Sequence, residues 1–164
     1  NADHIRATPV PQLAYRVLPF FREHGYDAAD DGYLAGVVGT LHTRSRTLVE
    51  MADGAHFYYR DDVRPYDEKA AKKFLKPAVL EALQMLLAQF ETLTSFSEEN
   101  LETAFKAVMD QTGLKLGKIA QPVRVALTGR TASPGIFEVA TIIGKNKVIA
   151  RLKKAIQYVE RRSD

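Results

Sequence analysis

At 164 residues, with 46% hydrophobic and 26% charged side chains, the chain is sized for one large domain or two small ones, and its composition excludes a disordered chain, a collagen-like chain and a coiled-coil rod. No apolar stretch approaches the roughly 20 residues that span a bilayer. The opening residues, Asn1 to Arg6, lack the regions of a secretory signal, and the absence of cysteine removes disulfides and thiolate metal sites, so a cytoplasmic location is expected. The net charge of +3 divides unevenly: the last fifty-one residues hold eleven Lys or Arg against three Asp or Glu, a balance of +8, and the rest of the chain balances at −5. Such a split suits a polyanion facing the C-terminal part, or a solvated basic helix face, and charge alone leaves both open.

Taken in chain order, the pattern is helical throughout. Pro11 to His24 reads as a helix stopped by Gly25, Asp31 to Leu41 as a second, and Thr47 to Tyr58 as a third that buries Leu48, Met51 and Ala52. The polar, proline-interrupted stretch Tyr59 to Glu68 marks a boundary, giving a first domain over 1–66 and a second over 67–164. Pro77 to Leu93 carries one apolar stripe: Val79, Leu80, Leu83, Leu86, Leu87, Phe90 and Leu93. Ser97 is positioned as an N-cap for the next helix, whose stripe runs through Leu101, Ala104, Phe105, Val108 and Met109 to a stop at Gly113. Because proline is tolerated best in a first turn, the main helix after it is expected to start at Pro122. Ser133-Pro134-Gly135 predicts another start, with Ser133 capping and Pro134 at the first helical position. Asn146 to Arg161 forms the last helix, with Val148, Ile149, Leu152, Ile156 and Val159 inward and its Lys and Arg side chains in water. The expected fold is all-α, two small helical bundles in series.

An enzyme needs a constellation of reactive groups, and none is written here. There is no glycine pattern for a dinucleotide or a P-loop, and His4, His24, His42 and His56 show no paired metal-ligand spacing. The adjacent carboxylates Asp30-Asp31 and Asp61-Asp62 suit capping and solvated loops better than a catalytic dyad. A candidate binding surface remains in the glycine-flanked loop Leu127 to Gly135, which ends at a helix N-terminus, with Arg124 and Arg130 supplying planar donor forks. Tyr58, Tyr59 and Tyr66 suit either base stacking or packing, and Arg44 and Arg46 either RNA contact or a solvated turn.

The run Gly117-Lys118-Ile119-Ala120-Gln121-Pro122-Val123-Arg124-Val125-Ala126-Leu127-Thr128-Gly129, followed by Ser133-Pro134-Gly135-Ile136-Phe137-Glu138 and Gly144-Lys145, resembles the C-terminal anticodon-binding region of bacterial glutamyl-tRNA synthetases. The likeness extends more loosely through Phe74 to Lys76 and Thr47-Leu48-Val49-Glu50 to the opening Asn1 to Arg6. It implies an anticodon-recognition part of a class I glutamate–tRNA ligase, covalently continuous with a catalytic domain, since the HIGH and KMSKS motifs of that family are absent. It also implies no cofactor in this part, ATP and magnesium for the parent enzyme, the anticodon of tRNA(Glu) as partner, and neither DNA nor membrane. Arg44 matches the position that reads the last anticodon base, and Arg124, Ser133, Pro134 and Ile136 match positions lining the others. Arg46 and Arg130 are further candidates for RNA contact. Two other readings stay open: a synthetase of relaxed specificity that also charges tRNA(Gln), and a free-standing helical module that binds RNA or protein.

Overall fold

A computed structural model describes residues 2–162, so Asn1 of the opening segment lies outside the described residues. The fold is all-α, with no strand among the described residues. The chain divides into two compact units, Asn1–Asp61 and Asp62–Asp164.

In the first unit, α1 (Ala2–Ala7), α2 (Val10–Glu23), α3 (Gly32–Leu41) and α4 (Leu48–Gly54) are followed by a 3-10 turn, His56–Tyr59. Helix α2 packs against α3 and α4, and Leu13, Val17 and Phe21, one turn apart on one face, are buried, as are Leu34, Val37 and Val38 of α3 and Met51 of α4. Asp31 starts α3 by accepting the Leu34 N–H (2.9 Å), and Thr47 starts α4 by accepting the Glu50 N–H (3.0 Å). The expected helix from Thr47 to Tyr58 ends early. At Ala55 (φ −89°, ψ 0°) the backbone leaves the helical basin, and the next residues tighten into the 3-10 turn. That turn carries Tyr58 and Tyr59 inward. Tyr58 is fully buried, and the Tyr59 ring stacks on Tyr26 (5.2 Å between centroids) with Phe21 and Tyr33 edge-on to it. Burial also pushes the Tyr59 hydroxyl well above its ordinary range. Both rings thus pack within the first unit, Tyr58 fully and Tyr59 partly buried.

The second unit comprises α5 (Glu68–Phe74), a 3-10 turn at Pro77–Val79, α6 (Leu80–Thr92), α7 (Glu98–Thr112), α8 (Leu116–Thr128), α9 (Ile136–Ile143) and α10 (Lys145–Glu160). Ser97 caps α7 through the Asn100 N–H (3.1 Å), as its spacing predicts. Residues 62–66, read from the sequence as the end of the first domain, pack with this unit: Val63 and Tyr66 are buried, and the next N–H, that of Asp67, donates to Gly129 (2.9 Å). Two helix starts differ from expectation. Helix α8 begins at Leu116 and carries Pro122 in its interior, where burial of the ring beside Ile119 and Val123 offsets the one missing backbone bond. Helix α9 begins at Ile136 after Gly135, so Ser133 caps nothing and Pro134 stands outside the helix.

Helix α10 packs on α6, α8 and α9, and one of its cations is not wet. Arg151 is 3% exposed, and its Nη1 donates to the Leu127 carbonyl (2.7 Å), one of the carbonyls left without an intrahelical partner at the end of α8. A cation there also meets the negative end of the α8 dipole. Arg151→Met keeps the apolar stem and removes the charged donor. It is expected to lower stability by about 1.5–3 kcal/mol, read by urea unfolding; an unchanged midpoint would show that Leu127 finds another donor.

Candidate nucleic-acid interface

Helix α8 is followed by a loop, residues 129–135, that its own last turn builds. Gly129 takes φ +78°, returns its N–H to the Val125 carbonyl (2.8 Å), and turns the chain out of the helix. Thr128, fully buried, donates its hydroxyl to the Arg124 carbonyl (2.7 Å) and accepts the Arg130 N–H (3.2 Å). A local threonine thus replaces the hydrogen bonds the helix no longer supplies. On the other side the loop is pinned by the 63–67 segment through Asp67.

Arg124 closes the far end of the loop. From α8 its Nη1 donates to the carbonyl of Ser133 (3.2 Å), to the Ser133 Oγ and to the carbonyl of Pro134 (2.8 Å). Ser133 Oγ in turn donates to the Pro134 carbonyl (2.8 Å). Arg124, Ser133 and Pro134 therefore converge, as a guanidinium clamp on the backbone before α9. Ser133, Pro134 and Ile136 are all buried, whereas Arg130, Thr131, Ala132 and Gly135 face solvent. The surface this loop can offer a ligand is therefore made by those four residues and by the half-buried Arg124. One turn before Arg124 on the same helix, Gln121 holds a buried Oε1 with no hydrogen-bond partner, an acceptor that the sequence reading passed over. Free amides alone do not define the α9 N-terminus. The Glu138 carboxylate lies 3.7 Å from where a Cβ on Gly135 would stand, so the positive end of that helix already faces a negative charge.

The other named arginines stand in the open. Arg44 and Arg46 belong to the first unit, in the turn between α3 and α4, and Arg130 to the second. All three are exposed, and among the described residues their guanidinium groups make no hydrogen bond or ion pair. The Arg46 backbone N–H is fixed by Glu50 Oε2 (2.8 Å), which orders the turn while leaving the side chain unpaired. Tyr66, the third aromatic considered for stacking, is buried against Tyr158, and burial pushes its hydroxyl up to about 12. Among the described residues no three His, Cys, Asp or Glu come together to hold a metal ion. Among the described residues no helix is long and apolar enough to cross a membrane.

Residues 12–156 match the family of the anticodon binding domain. The chain is 49% identical over 161 residues to the glutamate–tRNA ligase of Desulfosudis oleivorans and 46% identical to that of Geotalea uraniireducens, each match covering 98% of this chain and 34% of the relative. It thus spans about a third of the length of the curated relatives it matches. In fold it is similar to the crystal structure of a glutamate tRNA ligase from Elizabethkingia meningosepticum in complex with its amino acid, with a TM-score of 0.88 at 22% identity over 97% of this chain and 31% of that one. An all-helical chain that carries the family pattern through most of its length, and is homologous to a third of a glutamate–tRNA ligase, belongs to the anticodon binding domain family.

Proposed function

We propose that these two units bind the anticodon of tRNA(Glu) for a glutamate–tRNA ligase of the class I type, whose activity joins glutamate to tRNA with ATP and magnesium in the cytoplasm. The adenylation chemistry belongs to a catalytic domain outside these residues. What this chain supplies is position: it fixes an anticodon so that the remote acceptor end is presented for reaction. One observation carries the reading, the Arg124 clamp that fixes the buried Ser133 and Pro134 next to the exposed Arg130, Thr131 and Ala132 of the same loop. Loops held rigid by charged donors are suited to admitting unpaired bases with little loss of entropy. In this reading Arg124, Ser133, Pro134 and Ile136 shape the floor on which the first anticodon bases rest. Arg130 and Arg46 supply phosphate or sugar contacts, and Arg44 reads the last base.

The last anticodon base of tRNA(Glu) is C, because glutamate codons begin with G, whereas tRNA(Gln) carries G there. Arginine offers donors only, and both cytosine O2 or N3 and guanine O6 or N7 accept them. Selectivity then rests on where the guanidinium is held and on the room left for a purine. Arg44→Gln is expected to reduce discrimination between C and G at that base by about 1–3 kcal/mol, the worth of a good base contact. Binding to transcripts differing only at that base measures it, with Arg46→Gln as the register control. A change of preference in Arg46→Gln and none in Arg44→Gln would move the assignment by two positions. Equal binding of both transcripts by the unaltered chain would favour a synthetase that also serves tRNA(Gln).

A further inference from the structure

The second unit has a cavity of about 200 Å³ between the 62–66 segment and the C-terminal half of α10, lined by Arg64, Lys154, Gln157, Tyr158, Arg161 and Arg162. Among the described residues no acidic side chain lines it. Asp62 sits behind, and its single carboxylate serves two walls at once: Arg64 Nη2 at 2.6 Å and Lys154 Nζ at 3.1 Å. The Arg64 hydrogen bonds hold the Asp62 carboxyl well below the usual carboxylate range, so among the described residues this carboxylate stays charged beside the four cations of the lining. Arg162 braces the back wall through Nη1, which donates to the carbonyls of Ala71 (3.0 Å) and Leu75 at the end of α5. Arg161 is exposed, and among the described residues its side chain has no partner. Tyr158 is 37% exposed, propped edge-on by the buried Tyr66 ring at 5.3 Å.

A surplus of cations around an opening larger than a single ion, with an aromatic ring in its wall and a neutral amide from Gln157, matches what unpaired nucleic acid requires. Guanidinium forks take the phosphates, and a ring takes a base without selecting its identity. The cavity also adjoins the clamped loop. Arg64 in its wall follows Val63, whose carbonyl lies 2.9 Å from where a Cβ on Gly129 would stand, and the Asp67 N–H donates to the Gly129 carbonyl (2.9 Å).

Resting on the anticodon reading above, we propose that this cavity is a second tRNA contact: it receives the sugar–phosphate backbone of an unpaired nucleotide flanking the bases at loop 129–135, with Arg161 and Arg64 on the phosphate and Tyr158 against the base. The contact adds affinity and is indifferent to sequence.

The test is equilibrium binding of the 164-residue chain to a tRNA(Glu) transcript and to one with G as the last anticodon base, over a range of salt. Arg161→Ala is expected to weaken binding to both transcripts alike, about three- to tenfold, to lower the salt slope by about one, and to leave the C over G preference and the melting temperature unchanged. Tyr158→Ala is expected to cost at least about fivefold on both, and Tyr158→Phe almost nothing. Should the unaltered chain prefer the cognate transcript while Arg161→Ala and Tyr158→Ala keep full affinity and slope, the cavity proposal falls and the anticodon reading stands. A variant that changes the C over G preference instead of overall affinity also overturns it. If the unaltered chain binds neither transcript, both readings fall together.

Discussion

Arg124→Ala is expected to weaken tRNA binding by about 2–3 kcal/mol, or roughly 30- to 150-fold, because one charged donor holds three acceptors around the turn into α9. Without it the buried Ser133 carbonyl loses its donor, and the Pro134 carbonyl keeps only the Ser133 hydroxyl. Loop 130–135 then has to be ordered at the moment of binding, at an entropic cost the present structure has already met during folding. Lys153→Ala is the comparison: Lys153 is 54% exposed and stands 4.0 Å from Glu91, a pair too long and too wet to matter, so its loss should lie within about 0.5 kcal/mol of neutral. Arg124→Lys keeps the charge on a single nitrogen and should fall between the two. A fluorescence titration with a tRNA(Glu) transcript ranks the three. If Arg124→Ala loses thermal stability and keeps affinity, Arg124 is a structural clamp with no part in recognition.

The second large effect is on stability. Gly129→Ala meets two penalties at one position. An L side chain at φ +78° costs about 1–2 kcal/mol, and a Cβ there would stand 2.9 Å from the Val63 carbonyl, a backbone atom that cannot swing aside. Relief requires the 63–67 segment to lift, which strains the Asp67 bond to Gly129 and leaves its N–H short of a partner. The total expected loss is about 2–4 kcal/mol. Gly113→Ala separates the two causes, since Gly113 has φ +74° with open space around its Cβ position and should show the conformational penalty alone. Urea midpoints for the two variants give the difference. Equal losses would mean that the Val63 contact yields at no cost and that conformation alone explains both.

Several elements were legible from local chemistry because their causes lie within a few residues. Asp31, Thr47 and Ser97 cap their helices through side chains that reach only three positions ahead. The α2 and α7 stripes follow from helical period alone. Other features had a signal that the reading missed. Arg151 stands on the α10 stripe, three after Val148 and four before Ala155, and that spacing marks it as inward despite its charge. Gln121 falls on the turn before Arg124 and shares its side of the helix. Pro122 misled in the opposite direction, because the first-turn rule weighs a lost backbone bond and takes no account of what the buried ring gains. Helices α1 and α5 were not anticipated, since six- and seven-residue segments carry too few turns to display a period.

By itself the sequence determined that the chain is all-helical, where most of its helices lie, and that the stretch around Arg124 and Ser133 follows the pattern of an anticodon-binding region, because period, capping and motif are all short-range properties. Only the tertiary structure decided what those residues do to one another. Ser133, which spacing alone makes an N-cap, became an acceptor for Arg124 because α8 delivers a guanidinium to it. The place of Gly129 depends on a carbonyl 66 positions earlier, at Val63, and the end of α8 is completed by Arg151 from another helix. Tyr58 and Tyr66, aromatic and near cations in sequence, are buried, while Tyr158 keeps part of its ring at the surface. Burial is a property of what the rest of the chain places overhead, and no local pattern records it.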